Sequence, residues 1–338
     1  EAAACAPDFA IPGPGLSPHH GLPARLAQAG VPLLSEIEVA FRLAGGTFVG
    51  VTGTNGKTTV TGLTGHILCA AFGDVRTVGN IGDPLIEAVA DSTEDTVFVT
   101  ELSSYQLELC QTLRPRVSMV LNVQPDHMER HGTMEAYAAA KRRLIEQQGP
   151  GDTAILNVDD PRVCEMAHAT NAEVLSVSTR SEVGRGGFLR GGTLVLRFGE
   201  TEIELMNADA MALHGGHNHS NALHAALCAV RLGVPRERIV QGLRSFKGYP
   251  HRIQRVAVKN GVEFVDDSKA TNPDAVLAAL EAFRGRDLVL ILGGDDKGLD
   301  YTDFYRSVTA AAGHVIVLGP GLRRMADELR GAGFENVH

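Results

Sequence analysis

Short apolar runs alternate with longer amphipathic stretches from residue 47 onward. The runs are rich in β-branched side chains and bounded by turn residues, which is typical of buried parallel strands. They are Phe48–Val51, Val97–Leu102, Val117–Val123 and Ala154–Val158, and the helical stretches between them include Val60–Ala71 and Met134–Gln147. This strand–helix rhythm predicts an open α/β sheet, in which ligands bind at the carboxyl ends of the strands.

The pattern changes in the second half of the chain. A polar-flanked pair of runs, Leu194–Phe198 and Glu202–Leu205, predicts a β-hairpin, and a helix is predicted from about Asn221 to Leu232. After Gly248 a second α/β rhythm begins. Its predicted strands are Glu263–Val265, Leu288–Leu292 and Val315–Leu318, and its predicted helices are Asp274–Phe283, Tyr301–Ala312 and Leu322–Arg330.

These patterns divide the chain into three predicted segments, 1–44, 45–247 and 248–338. The first carries few regular signals apart from a helical stretch around Ser35–Leu43, and the other two each hold one α/β rhythm. A length of 338 residues suits two or three domains. Because the chain begins without Met and ends just as an apolar run starts after a helix, we expect segments to be missing at both ends.

Composition narrows the class of protein. With 44% hydrophobic and 21% charged residues, the chain has the balance of a soluble globular protein. Its net charge of −9 excludes a general affinity for nucleic acid or anionic membranes, so an anionic ligand must be captured by a local site. Five scattered cysteines and the lack of a bilayer-length apolar run predict a cytoplasmic enzyme with reduced thiols.

A glycine-rich turn between the first strand and the next helix is the strongest chemical signal. The turn is Gly53-Thr54-Asn55-Gly56-Lys57-Thr58-Thr59. Two glycines let backbone N–H groups face one anion, and the helix adds its positive dipole end. Lys57 can then reach the β/γ-phosphates and Thr58 can bind Mg²⁺. The common pattern G-x-x-x-x-G-K-[ST] has its first glycine two positions earlier, where this chain has Val51, and an ordinary strand-to-helix turn is the alternative.

Two further strand ends carry polar side chains at the same predicted edge. Glu101 ends the second run and could bind the Mg²⁺ that Thr58 touches, as a Walker-B acid does, although a strand-end charge is also possible. His127 follows the next run and could be a second Mg²⁺ ligand or a substrate contact. His127 and His131 have the spacing of a zinc pair, but Pro125 and Gly132 favour a loop over the helix that such a pair needs.

Three other segments are less specific. From its local sequence, Lys141 belongs to a solvated helix with a basic end. The stretch 214–224 is rich in histidine. It suggests either a metal site or a ligand site in which Asn218 and Asn221 make amide contacts. The loops 266–273 and 293–298 follow strands and carry charges and hydroxyls, so they suggest a small-ligand site or simple turn chemistry.

Taken together, the motifs resemble a known family. GTNGKTT, ELSSYQLE, DHMERHGTMEAYAAAKRR, GGHNHSNAL, HR, DDSKATN and GGDDK occur in the order seen in Mur ligases, from about Pro7 to the C-terminus. The segments DSKATN and ELSSYQLE are most similar to the member that adds D-glutamate. The resemblance implies the tail of an N-terminal UDP-binding α/β domain in 1–44. It further implies a central phosphate-loop, ATP-binding parallel-sheet domain in 45–247 and an incomplete Rossmann-like amino-acid-binding domain in 248–338.

The resemblance also implies a reaction and its partners. An amide-bond ligase of this kind adds D-glutamate to UDP-N-acetylmuramoyl-L-alanine through an acyl phosphate, in peptidoglycan precursor synthesis. It uses ATP, two Mg²⁺ ions and a carbamate formed from CO₂ on Lys141. It acts as a monomer on small molecules, without nucleic acid or membrane.

Each motif residue has an implied role. The turn residues Gly53, Thr54, Asn55, Gly56, Lys57, Thr58 and Thr59 would bind ATP phosphates, and Asn218, Asn221, Arg252 and Asp267 would hold the rest of the nucleotide. One Mg²⁺ would lie on Thr58 and Glu101, and the other on His127 and Lys141. Asn80, Ser103, Gln106 and His127 would contact the muramoyl-alanine part, and Lys269, Thr271 and Lys297 would face the acyl phosphate and D-glutamate. The implied catalytic residues are Lys57, Glu101, His127, Lys141 and Lys269.

Two alternatives stay open at this point. The first keeps the enzyme class and changes the substrate, as in another Mur ligase or a folylpolyglutamate synthetase. The second is a nucleotide-dependent switch or binding protein that uses ATP to change shape.

Overall fold

The computed structural model describes residues 7–213, 215–294, 301–319 and 322–338. These residues form two compact units. The first comprises 7–213 and 218–248, and the second comprises 215–217 and the described residues from 249 to 338.

The first unit is a mixed α/β structure built on one nine-stranded sheet. Its strands are β1 (Thr47–Thr52), β2 (Val75–Gly79), β3 (Val97–Glu101), β4 (Val117–Val120), β5 (Thr153–Asn157), β6 (Glu173–Ser178), β7 (Arg185–Arg190), β8 (Thr193–Phe198) and β9 (Thr201–Asn207). Its helices are α1 (Gly21–Gln28), α2 (Glu36–Leu43), α3 (Lys57–Leu68), α4 (Leu85–Ala88), α5 (Ser104–Leu107), α6 (Met128–His131), α7 (Met134–Glu146), α8 (Pro161–Glu165), α9 (His217–Arg231) and α10 (Arg236–Ser245).

The strand order of this sheet is β2-β3-β1-β4-β5-β6-β7-β8-β9. The strands from β2 to β7 are parallel, and β8 and β9 each run antiparallel to the preceding strand. Strand β1 lies between β3 and β4, with Val51 opposite Glu101 and also opposite Met119. The carboxyl ends of these three strands therefore meet at one edge, where open α/β sheets bind ligands.

Helices cover both faces of the sheet, so its central strands β1, β3 and β4 are almost entirely buried and mostly apolar. On one face Val49 and Val51 pack in a buried cluster with residues of α3, α9 and α10. On the other face Phe48 packs with residues of α2, α4 and α7. The contact with α7 is close at Gly50, where a Cβ atom would lie 2.6 Å from Leu144 Cδ1. Helix α7 is thereby held directly beneath the strand that leads into the phosphate-loop turn.

The predicted fold class is confirmed, with differences in detail. The hairpin of β8 and β9 and the helices α3, α7 and α9 form where they were predicted, but α3 begins at Lys57 and α9 at His217, earlier than expected. Strands β2, β6 and β7 and helix α10 were not predicted. The three strands mix glycine, arginine or serine with apolar residues, and their hydrogen bonds come from neighbouring strands, which the local pattern does not show.

The second unit contains two small sheets. Strands β10 (Gln254–Lys259) and β11 (Val262–Asp266) form an antiparallel hairpin, and β12 (Val289–Gly293) and β13 (His314–Leu318) form a parallel pair. Helices α11 (Pro273–Ala282), α12 (Thr302–Ala311) and α13 (Leu322–Gly331) accompany them, with Val308, Val315 and Leu329 in a common core. No helix among the described residues is both long and apolar enough to cross a membrane.

The hairpin corrects one prediction. The run Glu263–Val265 was assigned to the second α/β rhythm, but its strand pairs only with β10 among the described residues. The connection Asn260-Gly261 explains this, because both residues have positive φ, 53° and 79°. An Asn-Gly pair with that geometry is the two-residue turn most typical of hairpins, and it could have been recognised from the sequence.

A buried carboxylate joins α2 to the segment after α5. Glu38 is fully buried and accepts hydrogen bonds from the Gln111 and Thr112 main-chain N–H groups, from the Thr112 hydroxyl at 2.6 Å and from Arg42 Nε at 2.8 Å. Burial alone raises the pKa of Glu38, but hydrogen bonds from Thr112, Gln111 and Arg42 outweigh it, so the pKa is lowered.

We expect Glu38→Ala to destabilise the first unit by about 3 kcal/mol, because it removes a buried carboxylate that accepts several hydrogen bonds from the segment after α5 and from Arg42. Since the pKa of Glu38 in the folded protein lies below the usual 4.5, its stabilisation is present above pH 4.5 and is lost as pH falls through the lowered value. Urea denaturation of wild type and variant at pH 7 and pH 3 measures both effects. A difference in unfolding free energy that stays constant down to pH 3 would contradict this account.

Candidate active site

The glycine-rich turn links β1 to α3 as predicted. Gly56 precedes the first helical residue, Lys57, with φ 85° and ψ −13°, a left-handed conformation that favours glycine. A Cβ atom there would lie 2.8 Å from Asn221 Oδ1. The glycine is therefore required both by the backbone and by the close approach of α9, and the N-terminus of α3 opens at the carboxyl edge of the sheet.

Two lysines converge on the turn from different elements. Lys57 Nζ donates to the carbonyl oxygens of Gly53 at 2.9 Å and Thr54 at 2.8 Å. Lys141 Nζ, from α7, donates to the same Gly53 oxygen at 2.7 Å. The sequence placed these residues 84 positions apart, and the sheet brings both amines to one atom.

Lys141 corrects a prediction made from local sequence. Lys141 was expected on a solvated helix face, but it is only 1% exposed, and its Nζ lies 4.4 Å from the centre of the Tyr137 ring. Burial and the nearby charge of Lys57 lower the pKa of Lys141 well below its usual 10.5, although Asp126 acts in the opposite direction. The amine is thus shifted towards its neutral, nucleophilic form.

Glu101 lies at the end of β3 beside the turn, as expected. Its Oε1 accepts from Asn80 Nδ2 at 2.9 Å, and the Asn80 main-chain N–H donates to the Glu101 carbonyl at 2.8 Å. Its Oε2 is buried and has no hydrogen-bond partner in the part of the chain that the structure describes. A buried carboxylate oxygen without a donor is costly, and a cation would satisfy it.

The donors at this edge fit magnesium better than zinc. Within the described ranges, no group of three or more His, Cys, Asp or Glu side chains could hold a metal ion. Mg²⁺ needs no such group, because it is usually held by one or two carboxylates together with phosphate oxygens and water. The unsatisfied oxygen of Glu101, close to the turn that carries Thr58, suits that mode of binding.

The two histidines after β4 do not form a zinc pair. His127 has positive φ, 57°, and precedes the single helical turn α6, which forms where a loop was expected. His131 is engaged elsewhere, with Nε2 2.9 Å from Ser104 Oγ and Nδ1 3.2 Å from Glu108 Oε1. His131 is thereby tied to α5. His127 lies in the segment between β4 and α6, and its ring is 5.0 Å from that of Tyr105 on α5.

Other predicted residues in the first unit have clear partners. Asn218 and Asn221 are buried on the first turns of α9, and Asn221 Nδ2 donates to Asn218 Oδ1 at 2.9 Å. Ser103 and Gln106 bond to each other in a capping box at the start of α5. Their side chains therefore stabilise the helix beside Glu101, a role that their spacing in the sequence could have indicated.

Sequence reasoning missed two residues beside the turn. Tyr137 Oη lies 3.2 Å from Thr54 Oγ1, and the Asn122 side chain contacts the main chain of Thr54 and Asn55. Tyr137 resembles any core aromatic residue of an amphipathic helix, so no local signal marks it. Asn122 is a polar residue at the end of an apolar run, which is a usable signal.

In the second unit the predicted residues lie around the start of β10 and the end of β11. Asp267 Oδ1 accepts from the Ile253 N–H at 3.0 Å, and His251 Nδ1 lies 2.6 Å from Asp266 Oδ2. Burial raises the pKa of Asp267, an effect opposed by the Ile253 hydrogen bond and by Arg252. Lys269 and Thr271 are exposed in the loop before α11. Lys297 lies outside the described residues.

The geometry defines a phosphate-loop α/β protein: a parallel sheet whose central strand runs through a glycine-containing turn and a lysine into a helix. Comparison with known proteins identifies which one. The Mur ligase middle domain family matches residues 51–229, and the family described as the glutamate ligase domain of Mur ligases matches residues 251–338. The chain belongs to the Mur ligase family, which confirms the resemblance seen in the motifs.

Individual relatives agree with this assignment. The chain is 42% identical over 331 residues to a UDP-N-acetylmuramoylalanine–D-glutamate ligase from Pelotomaculum thermopropionicum, covering 98% of this chain and 72% of the relative. The ligase of the same name from Solibacter usitatus is 43% identical over 326 residues, covering 96% and 72%.

Solved structures share the fold at lower identity. MurF from Acinetobacter baumannii has a TM-score of 0.69 at 21% identity, covering 90% of this chain and 70% of that one. MurF from Thermotoga maritima, solved in complex with ADP, has a TM-score of 0.65 at 20% identity, covering 93% and 73%.

Proposed function

We propose that the protein is an ATP-dependent ligase that joins D-glutamate to the alanyl carboxyl group of UDP-N-acetylmuramoyl-L-alanine in peptidoglycan precursor synthesis. The substrates are those named for relatives that are 42% and 43% identical over nearly the whole chain. A reaction that consumes ATP and a nucleotide-linked sugar would take place in the cytoplasm, between small-molecule partners.

The observation that carries the proposed chemistry is the convergence of Lys57 and Lys141 on the Gly53 carbonyl, beside the unsatisfied oxygen of Glu101. A phosphate loop needs only the first of these lysines. A second amine, buried and shifted towards its neutral form, is the group that can add to CO₂ with loss of a proton and become an anionic carbamate. This would turn a buried cation into a ligand for a second divalent ion.

The residues divide into roles on this basis. Lys57, Thr58, Thr59 and the N-terminus of α3 would hold the ATP phosphates. Thr58 and Glu101 would hold one Mg²⁺, and His127 and carbamylated Lys141 would hold the other. When bound, the ions neutralise phosphate charge during phosphoryl transfer.

The reaction would have two steps. A carboxylate oxygen of the alanyl group attacks the γ-phosphorus of ATP, and ADP leaves with the electrons of the broken P–O bond. The amine of D-glutamate then attacks the resulting acyl phosphate, loses a proton and expels phosphate. Lys57 would contribute mainly position and positive charge, because both reactants of the first step are anionic, whereas Lys141 would act through its carbamate.

The remaining assignments rest on the family resemblance. Asn80, Ser103 and Gln106 would contact the muramoyl-alanine part, and Asn218, Asn221, Arg252 and Asp267 would hold the nucleotide. Lys269, Thr271 and Lys297 would face the acyl phosphate and D-glutamate. We also propose that the enzyme acts as a monomer.

Acceptor dependence tests the proposal. We expect phosphate release from ATP only when UDP-N-acetylmuramoyl-L-alanine and D-glutamate are both present, because the acyl phosphate is consumed only by the amine. Phosphate should be measured with D-glutamate, L-glutamate, diaminopimelate, L-lysine and no amino acid. Release with diaminopimelate or lysine instead of D-glutamate would favour another Mur ligase, and release with folate and L-glutamate would favour a folylpolyglutamate synthetase. Release without any acceptor would favour a nucleotide-dependent switch.

A further inference from the structure

The side chain of Asn122, just after β4, binds the first half of the glycine-rich turn. Its Oδ1 accepts from the main-chain N–H groups of Thr54 at 3.0 Å and Asn55 at 2.8 Å, and its Nδ2 donates to the Asn55 carbonyl at 3.0 Å. One amide side chain thus makes three hydrogen bonds to two consecutive residues of the turn.

Two neighbouring contacts, one of packing and one hydrogen bond, hold the turn close to the end of β4. A Cβ atom at Gly53 would lie 2.9 Å from Leu121 Cβ, so only glycine permits this approach. Thr54 Oγ1 accepts from the Gln124 N–H at 2.9 Å. From the other side, Asn157 Nδ2 donates to the Leu121 carbonyl at 2.8 Å. Asn122 therefore belongs to a hydrogen-bonded support built from the carboxyl ends of β4 and β5.

These bonds account for the unusual spacing of the motif. The common phosphate loop has four residues between its glycines, and this turn has two, Thr54 and Asn55. In the longer loop the intervening N–H groups face phosphate, whereas here both face Asn122 Oδ1. The phosphate-facing donors are then those that follow, from Gly56 into the N-terminus of α3.

We propose that Asn122 is a positioning residue for nucleotide binding, which holds Thr54 and Asn55 in the bound shape before ATP arrives. The inference rests on the proposed function, because it assigns the turn to nucleotide phosphates. A turn that is already ordered loses less conformational freedom on binding, so its affinity for the nucleotide is higher. Asn122 does not contact reacting atoms in this account.

Variants Asn122→Ala and Asn122→Asp test the proposal, with Asn207→Ala as the matched control. Asn207 also accepts a main-chain hydrogen bond through Oδ1, from Asp209, but lies at the end of β9, at the edge strand of the sheet. The measurements are the affinity for Mg²⁺–ADP by calorimetry, the KM for ATP and kcat, the thermal midpoint, and amide exchange of Asn55 by NMR without nucleotide. Thr54 is an internal reference, because its N–H also bonds to the main-chain carbonyl of Asn122.

We expect both variants to bind ADP about tenfold to a hundredfold more weakly, with kcat at saturating ATP changed less than KM. Exchange at Asn55 should accelerate more than at Thr54 in Asn122→Ala, and Asn207→Ala should match wild type. The carboxylate variant keeps the acceptor atom and the shape, so it should stay folded while losing affinity through its charge. Unchanged ADP affinity and unchanged Asn55 exchange in Asn122→Ala would overturn the proposal, as would equal losses in Asn207→Ala.

The outcome is separable from the proposed function. If the wild type binds Mg²⁺–ADP but shows no D-glutamate-dependent phosphate release, the ligase assignment falls and the role of Asn122 is still decided by ADP affinity and Asn55 exchange. If the wild type does not bind Mg²⁺–ADP, the role of Asn122 in nucleotide binding falls as well.

Discussion

Lys141→Ala is expected to lower kcat for ligation about a thousandfold or more, because it removes both the buried amine and the carbamate proposed to form on it. The residue is almost completely buried and its Nζ binds the Gly53 carbonyl at 2.7 Å. If the carbamate supplies the anionic oxygens, acetate or another short carboxylate at high concentration should restore part of the activity. Phosphate release measured across a carboxylate titration tests this, with the thermal midpoint as a check on folding.

Arg142→Ala is the matched control for that experiment. Arg142 is the next residue of α7, but its side chain is exposed and pairs with Glu146 at 2.7 Å. An exposed pair of this kind contributes about 0.3–0.5 kcal/mol, so the variant should keep its activity and show no response to carboxylate. Normal activity in Lys141→Ala would remove Lys141 from the mechanism, and low activity without rescue would argue against the carbamate.

Glu101→Gln is expected to separate stability from activity. The buried Oε2 atom has no hydrogen-bond partner among the described residues, so the neutral amide should leave stability unchanged or raise it by about 1 kcal/mol. The amide retains an acceptor for Asn80 but is a poor ligand for Mg²⁺. We therefore expect kcat to fall about a hundredfold to a thousandfold and the Mg²⁺ concentration needed for half activity to rise at least about tenfold.

Glu87→Gln provides the control for a lost carboxylate, since Glu87 is exposed on α4. It should leave both the Mg²⁺ dependence and the thermal midpoint at their wild-type values. A Glu101→Gln variant that ligates at the wild-type rate with the same Mg²⁺ dependence would exclude Glu101 as a metal ligand. Destabilisation of Glu101→Gln would instead indicate that its carboxylate is satisfied by a group of the protein.

Several parts of the fold and site could be predicted because their signals are local. The runs that became β1, β3, β4 and β5 are short and apolar, and the alternation with helices implied a parallel sheet. The turn around Gly56 and Lys57 is recognisable from residue order alone. Strands β6 and β7 were missed, since they depend on hydrogen bonds from neighbouring strands more than on their own apolar pattern.

The case of Lys141 shows the limit of that reasoning. Its local sequence, with Arg142 and Arg143 beside it, is typical of a solvated helix end, and only the family resemblance marked it as special. Its burial follows from the packing of α7 beneath β1, which is close at Gly50 and Leu144. Which side of α7 faces the sheet is decided by contacts between segments almost a hundred residues apart.

The amino-acid sequence by itself determined the α/β class of the sheet, the position of the phosphate-loop turn and the family. These features depend only on hydrophobic periodicity and on short sequence motifs. Tertiary structure alone decided that Lys57 and Lys141 share the Gly53 carbonyl, that no described residue donates to one buried oxygen of Glu101, and that Asn122 binds the main chain of the turn. The physical reason is that hydrogen bonds and burial depend on distances in space. Those distances are set by the strand order β3-β1-β4, which no local pattern encodes.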